Sequence, residues 1–343
     1  MIIWPASFLA LLGWTILAVA LFRRWSLKRS LLDIPNERSS HSEPTPRGGG
    51  VVICFSSLAA FLVYYLATGE TVPVYFFLAA LIVAAISLAD DLRNISPFYR
   101  ILFHGAAALL VLYQFGGFRF LHVPFLGTVE TGRWGALLAF LWIVWMINAF
   151  NFMDGIDGIA ALQAITAGLG WAVFGFSNGG GEVGVLGAVL AVVSFGFLLF
   201  NWQPARIFMG DVGSAFLGFA FAVMPLFYNR TGTDADFSAK LPLYGVVFLW
   251  FFVIDSVYTF LRRLFRGERV WEAHRQHIYQ KMVIGGMMHK TVTSIYGGFS
   301  LSLVLILIGA ERLMLPFGVL WLALAAETLA LLLIGIRMDR KNV

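Results

Sequence analysis

The stretch NAFNFMDGIDG, from Asn148 to Gly158, joins two apolar runs of the chain at residues 134–150 and 157–176. Each run is long enough to cross a bilayer as a helix. Two carboxamides and two carboxylates therefore lie where a membrane helix meets water: Asn148, Asn151, Asp154 and Asp157. Ionisable groups in or beside hydrocarbon cost about 3 kcal/mol each on insertion scales, so they are candidates for a functional site.

One straight helix does not direct these four side chains to a single point, because each step of three residues drifts about 60° around the helix axis. Gly155 and Gly158 favour a break between two helices, around which the polar groups can gather. Oxygen ligands at such a break suit a hard cation such as Mg²⁺ that bridges phosphates. The simpler alternative is a polar turn whose side chains only cap the helix ends.

The composition predicts an all-α polytopic membrane protein with one domain, residues 1–343. The chain is 59% hydrophobic and 13% charged, whereas soluble domains are about 25% charged. The first apolar run lacks a basic start and a cleavage site, so it is read as a retained helix. We expect about eleven transmembrane helices, near residues 2–22, 49–67, 72–89, 101–115, 134–150, 157–176, 183–200, 213–228, 241–261, 291–309 and 313–336.

Basic residues predict the orientation of these helices. Most of the 24 lysines and arginines fall in alternate loops that begin after the first run. By the positive-inside rule, the N-terminus is periplasmic and the C-terminus is cytoplasmic. Every loop that carries a motif then lies on the cytoplasmic side, where we expect the active site.

The first two cytoplasmic loops each carry charged candidate residues. Asp33 to Gly50 reads DIPNERSSHSEPTPRGGG, and its Arg38, His41 and Arg47 are cations that can meet an anionic ligand. The second loop opens with Asp90, Asp91 and Arg93. Adjacent carboxylates repel each other, and a helix C-terminus disfavours negative charge, so the pair indicates a shared metal or cation or a proton on one of the two carboxyls. A solvated helix end with Arg93 as partner is the alternative.

Two later cytoplasmic loops add an acid and a histidine pair. Asp211 precedes a glycine-containing helix start, where free amides favour phosphate and the carboxylate can hold a metal that the phosphate also binds. His274 and His277 have the spacing of one helical face, and without a third soft ligand they favour phosphate or sugar contact over zinc. Asp255 fits a buried hydrogen bond or a catalytic role equally well.

Five motifs occur in order: DIPNERSSH with PTPRGGG, ADDLR, NAFNFMDGIDG, FMGDVGS and HRQH. Together they resemble the polyprenyl-phosphate N-acetylhexosamine-1-phosphate transferases, a family that includes the phospho-N-acetylmuramoyl-pentapeptide transferase, and the likeness covers nearly the whole chain. The resemblance implies transfer of a sugar 1-phosphate from a UDP-N-acetylhexosamine to undecaprenyl phosphate, with release of UMP. It also implies Mg²⁺, with Mn²⁺ as the alternative, in a bacterial inner membrane. No nucleic acid partner is expected, and a homodimer is left open.

The resemblance also implies roles for individual residues. Asn151 and Asp211 would ligate the metal, while Asp90 would deprotonate or orient the lipid phosphate with support from Asp91. Asp154 and Asp157 are expected among the catalytic residues and would line the nucleotide pocket. The expected substrate contacts are Phe208, which would stack on uracil, and Asn148, Arg38, His41, Arg47, Arg93, Gly213, Ser214, His274 and His277. Direct attack and a covalent phospho-enzyme both remain open.

Three departures from the family pattern bear on its branches. The muramoyl-pentapeptide branch has lysines where this chain has His41 and Asn94, and Gln276 replaces the interior histidine of the last motif. These changes favour the branch that starts lipopolysaccharide O-antigen on GlcNAc, FucNAc or QuiNAc.

A secondary transporter is the competing class. Transporters bind near the bilayer midplane between repeated halves, whereas this chain shows no internal repeat and collects its acids at one face. A structural scaffold would leave the aspartate clusters without a role.

Overall fold

The fold is known from a computed structural model, which describes residues 3–35, 43–93, 95–123, 126–230, 234–270, 274–316 and 318–340. The helices are α1 (Ile3–Lys28), α2 (Gly50–Thr68), α3 (Val74–Arg93), α4 (Pro97–Phe115), α5 (Trp134–Phe152), α6 (Ile159–Ser177), α7 (Gly181–Asn201), α8 (Asp211–Phe227), α9 (Ala235–Phe248), α10 (Trp250–Phe265), α11 (Ile278–Ile284), α12 (His289–Arg312) and α13 (Gly318–Arg340). A 3₁₀ turn covers Tyr228–Arg230.

The prediction of an all-α polytopic membrane protein is confirmed. In the described ranges, nine helices are long and apolar enough to cross a membrane, from α1 to α7 together with α12 and α13. The shorter α8 and the bent pair of α9 and α10 add further apolar helices. The orientation across the membrane stays a prediction.

One predicted helix is wrong in detail, since the run at 241–261 is two helices. The chain breaks at Leu249, and α9 and α10 meet there at a bend of 75°. The apolar pattern continues through the break, because Phe248, Leu249 and Phe251 are all fully buried. The hydropathy of the sequence therefore did not indicate the bend.

Two small antiparallel hairpins were not predicted. Strands β1 (Leu32–Asp33) and β2 (Thr45–Pro46) pair within the loop between α1 and α2, which the sequence suggested was irregular. Strands β3 (Phe120–Val123) and β4 (Gly127–Glu130) pair in the segment between α4 and α5. Both are too short for a clear alternating pattern.

Helix α8 is the centre of the bundle. Every residue after Asp211 is buried, and the helix packs on α2, α3 and α5. Small residues allow this close packing, since a Cβ on Gly213 would lie 2.6 Å from the Cα of Gly50. The N-terminal end of this central helix holds Asp211 in place.

The predicted break between α5 and α6 is present. Helix α5 ends at Phe152, and α6 begins at Ile159. Gly158 has φ +78°, a left-handed conformation that favours glycine. A Cβ on Gly155 would collide with the Tyr279 hydroxyl, which donates a 3.0 Å hydrogen bond to the carbonyl of Phe152. Both glycines are therefore needed to form the break.

Candidate active site

A polar cavity of about 550 Å³ lies where the break meets the ends of α3 and α8. Its lining includes predicted site residues from five separate segments of the chain. They are Arg47, Asp90, Asp91, Asn148, Asn151, Asp211, His274 and His277. The convergence predicted for Asp91, Asn151 and Asp211 is thus present in the fold, while their chemical roles stay predictions.

Asp90 is buried and accepts hydrogen bonds at both carboxylate oxygens. Oδ1 accepts from the amide of Ile95 at 2.6 Å, and Oδ2 accepts from the guanidinium of Arg100. Arg100 also reaches Oδ2 of Asp211 at 3.7 Å. Sequence reasoning missed Arg100, because a single arginine in a basic loop also fits the topology rule. It supplies the positive charge between two of the acids.

Asp91 and Asn151 join α3 and α5 to the start of α8. Oδ2 of Asp91 accepts the amide of Asp211 at 3.1 Å, so it caps the positive end of α8. Asn151 donates to the Ser214 hydroxyl at 3.0 Å and hydrogen-bonds the Asp211 carboxylate. Arg47 donates to the backbone carbonyl of Asp91. This network connects the acids of α3 and α8 to Asn151 and Arg47.

Asp154 lies in the break, beside this acidic cluster. Burial raises the pKa of Asp154 well above the usual aspartate value, and the charges of Asp211, Asp91 and Asp157 raise it further. Like charges disfavour one another's ionised forms. The cluster therefore has an excess of negative charge that a cation would relieve.

The donor set fits Mg²⁺ better than a metal held by protein ligands alone. Among the described residues, no group of three or more His, Cys, Asp or Glu side chains is placed to hold a metal. Mg²⁺ usually takes one or two carboxylates and fills its remaining positions with water and substrate phosphates. Asp211 and Asn151 offer such an incomplete set of hard oxygen ligands.

The histidine segment reaches the cavity from α10. Asp255 is fully buried, and its Oδ1 lies 3.0 Å from Nδ1 of His277. Burial lowers the pKa of His274 to about 4, with help from the positive charges of His277 and Arg263. His274 is therefore a neutral imidazole at pH 7. Both histidines line the polar cavity, as expected for substrate contacts.

Asp157 lies apart from the cavity lining and holds the break in place. Its Oδ2 accepts the amide of Ala205 at 3.1 Å, and Oδ1 lies 3.3 Å from Nδ1 of His289. Its carbonyl accepts from Thr293 at 2.8 Å. These contacts give Asp157 an anchoring function between α6 and α12, and its expected nucleotide contact stays a prediction. Sequence reasoning missed His289, which belongs to none of the five motifs.

Four other predicted contacts lie away from the lining of the polar cavity. Phe208 pairs through its backbone with Pro46 and Gly49, and Arg93 is exposed at the end of α3. Gly213 and Ser214 are buried in α8, where Gly213 packs on α2 and Ser214 accepts from Asn151. Arg38 and His41 lie outside the described residues, as does Asn94.

A second cavity, of about 870 Å³, adjoins the first and is apolar. Helices α5 and α10 line it with Leu138, Leu141, Trp142, Trp145 and Phe260. The two cavities share Ile101, Asn148, Phe152, Val270, His274 and His277. The bend at Leu249 sets the course of α10 and so forms one wall. An anionic site thus opens directly onto a hydrophobic groove.

Comparison with known proteins agrees with this geometry. Residues 73–229 match the sequence profile of glycosyl transferase family 4. The matched segment makes up a little under half of the chain, and this part is similar to that family. The chain is an enzyme of the glycosyl-1-phosphate transferase type, embedded in a membrane by multiple spans.

Several named proteins are similar to the chain, two of them over most of its length. A probable undecaprenyl-phosphate N-acetylglucosaminyl 1-phosphate transferase of Bacillus subtilis is 28% identical over 93% of this chain and 86% of its own length. A decaprenyl-phosphate N-acetylglucosaminephosphotransferase of Mycobacterium tuberculosis is 27% identical over 85% of this chain and 80% of its own length. A phospho-N-acetylmuramoyl-pentapeptide-transferase of Latilactobacillus sakei is 37% identical over 42% of this chain and 43% of its own length.

Proposed function

We propose that this enzyme transfers an N-acetylhexosamine 1-phosphate from a UDP-sugar to a polyprenyl phosphate and releases UMP. The observation that carries the proposal is the contact between the two cavities. The acidic cavity suits a cation with bound phosphates, and the apolar groove suits a long hydrocarbon chain. Only a substrate with both properties uses the whole site.

The reaction joins two anions, so electrostatics dominates its barrier. A phosphate oxygen of the lipid attacks the phosphorus that carries the sugar, and the bond from that phosphorus to the bridging oxygen breaks. UMP leaves with the bridging oxygen and its electron pair. Mg²⁺, when bound by Asp211 and Asn151, would neutralise charge on the diphosphate. Positioning and charge compensation by protein groups supply most of the remaining rate.

Cations on the protein would hold the acceptor phosphate near the mouth of the groove. Arg47 and Arg100 line the polar cavity, and His277 lines both cavities. Asp90 is already paired with Arg100. A polyprenyl phosphate is largely ionised near pH 7, so the reaction needs orientation of this phosphate more than its deprotonation.

GlcNAc is the sugar that we favour. The relatives from Bacillus and Mycobacterium carry N-acetylglucosamine in their names, and a role in O-antigen synthesis on GlcNAc, FucNAc or QuiNAc stays a finer prediction. In this proposal the acceptor is undecaprenyl phosphate, and the enzyme lies in a bacterial inner membrane.

The test is an assay of purified protein with undecaprenyl phosphate, Mg²⁺ and a panel of UDP-sugars. We expect release of UMP and one lipid-linked sugar diphosphate, most rapidly with UDP-GlcNAc. Reconstituted protein that moves a nucleotide sugar or lipid across vesicles, with no lipid-linked product, would instead support the transporter alternative.

A further inference from the structure

Asp255 is a buried carboxylate that the proposed reaction does not use. It lies on α10 and is fully buried, yet it accepts hydrogen bonds from four donors and also contacts a ring nitrogen of His277. Oδ1 accepts from the amide of Ile278 at 2.9 Å and from Thr259 at 3.2 Å, and it faces Nδ1 of His277. Oδ2 accepts from the amide of Tyr279 at 3.2 Å and the hydroxyl of Tyr296 at 2.7 Å.

These partners determine which nitrogen of His277 carries a hydrogen. An ionised carboxylate only accepts hydrogen bonds, and two backbone amides and two hydroxyls already donate to Asp255. Nδ1 of His277 must therefore be protonated to make a favourable contact. The remaining ring nitrogen, Nε2, is buried and has no hydrogen-bond partner among the described residues.

The location of the His277 ring places Nε2 where it can contact a ligand. His277 is 3% exposed, and its side chain lines both the acidic cavity and the apolar groove. A buried nitrogen without a partner carries a desolvation cost that a ligand can remove. The border between the cavities is where a lipid phosphate would lie if its chain fills the groove.

We propose that Asp255 is a positioning residue, which fixes His277 in the Nδ1-protonated form so that Nε2 contacts the phosphate of the lipid acceptor. The inference rests on the proposed function and deepens it. Neutral His277 would accept a hydrogen bond from a protonated phosphate, and charged His277 would donate one to the dianion. Both forms require Nδ1 to remain on Asp255.

A purely structural role for Asp255 gives different results. In that case the carboxylate only anchors the start of α11 to α10. Loss of the Nε2 atom of His277 would then not change the rate of transfer. His277→Asn separates the two roles, because an asparagine amide can donate near the position of Nδ1 but has no atom at Nε2. Tyr296→Phe is the matched control, since it removes a buried partner of the same carboxylate and leaves His277 intact.

The experiment measures thermal unfolding in detergent, acceptor kinetics with UDP-GlcNAc, and ¹⁵N spectra of histidine-labelled protein. We expect His277→Asn to unfold near the wild-type temperature and to lose on the order of 100-fold in kcat/KM for polyprenyl phosphate. Tyr296→Phe should stay within about threefold of wild type even if it is less stable. The His277 signal, identified by its loss in His277→Asn, should show a protonated Nδ1, and polyprenyl phosphate should shift Nε2.

Two results would overturn the inference. One is a His277→Asn enzyme with transfer near wild type, and the other is an Nε2 signal that polyprenyl phosphate leaves unchanged. Failure of the wild-type protein to form lipid-linked sugar would contradict the proposed function instead. The spectra would then still decide whether Asp255 fixes the tautomer and whether Nε2 meets a lipid phosphate.

Discussion

The two adjoining cavities differ in almost every physical property except their shared border. The polar cavity gathers three aspartates and two arginines within about 550 Å³, whereas the larger groove is lined mainly by aliphatic and aromatic side chains. Charged groups are stabilised in the first by pairing, and hydrocarbon is stabilised in the second by removal from water. The contrast indicates that one substrate carries both a charged head and an apolar tail.

Loss of the central acid should produce the largest effect. Asp211→Asn keeps the size of the side chain but removes the charge that would hold a cation, and we expect transfer to fall on the order of 10³- to 10⁵-fold. Mg²⁺-dependent UMP release measures the change. Asp236→Asn is the matched control, because Asp236 is exposed and contacts Thr128 in β4. Equal activity of both variants would remove Asp211 from the metal site.

Loss of the paired arginine should be the next largest effect. Arg100→Gln leaves Asp90 and Asp211 without their shared cation, so we expect transfer to fall on the order of 100-fold. The freed carboxylates should bind Mg²⁺ more tightly, because a competing positive charge is gone. Titration with Mg²⁺ and rate measurements at saturating metal check both effects. Weaker metal binding in this variant would show that Arg100 does not compete with the cation.

A polar change in the groove should affect only the acceptor. Leu141→Gln introduces an amide into the apolar lining, and we expect about a tenfold higher KM for undecaprenyl phosphate. The KM for the UDP-sugar should not change. Leu137→Gln is the control, since it is a similarly exposed leucine on α5 outside the groove lining. An equal effect with a short-chain acceptor would argue against the groove as the tail site.

The smallest expected effect is the release of protons when Mg²⁺ binds. The raised pKa of Asp154 means that some of this carboxyl holds a proton above the usual aspartate range. A bound cation favours the ionised form, so Mg²⁺ binding should release part of one proton per site, and acidification should weaken binding. Calorimetry in two buffers with different ionisation enthalpies measures this release. We expect Asp154→Asn to release less, and the same release as in wild type would locate the proton elsewhere.

The sequence predicted which charged and polar residues belong to the candidate site better than it predicted how the fold packs them together. The aspartates and asparagines were found because polar groups in an apolar chain are expensive. Arg100 and His289 were missed, since their importance comes only from the partners Asp90 and Asp157 that the fold brings to them. The anchoring contacts of Asp157 were not predicted, and its expected contact with the nucleotide stays a prediction.

The bend between α9 and α10 shows the same limit at the level of the fold. Hydropathy indicates whether a segment suits the membrane interior, but it does not detect a break at a buried residue such as Leu249. The groove beside α5 depends on this bend, so the sequence gives no direct indication of the groove. The histidine pair was visible, but the carboxylate that orients His277 lies about two turns inside α10, where spacing alone does not connect them.

The most direct test of a shared cation at the acidic cluster is phosphorus electron–nuclear double resonance with Mn²⁺ in place of Mg²⁺. Wild-type protein with UDP-GlcNAc should bind one Mn²⁺ with resolved ³¹P couplings from the diphosphate. Asp211→Asn should lose this signal, while Asp236→Asn should keep it. A Mn²⁺ that shows no phosphorus coupling in the wild-type complex, or that binds equally well without Asp211, would contradict the account.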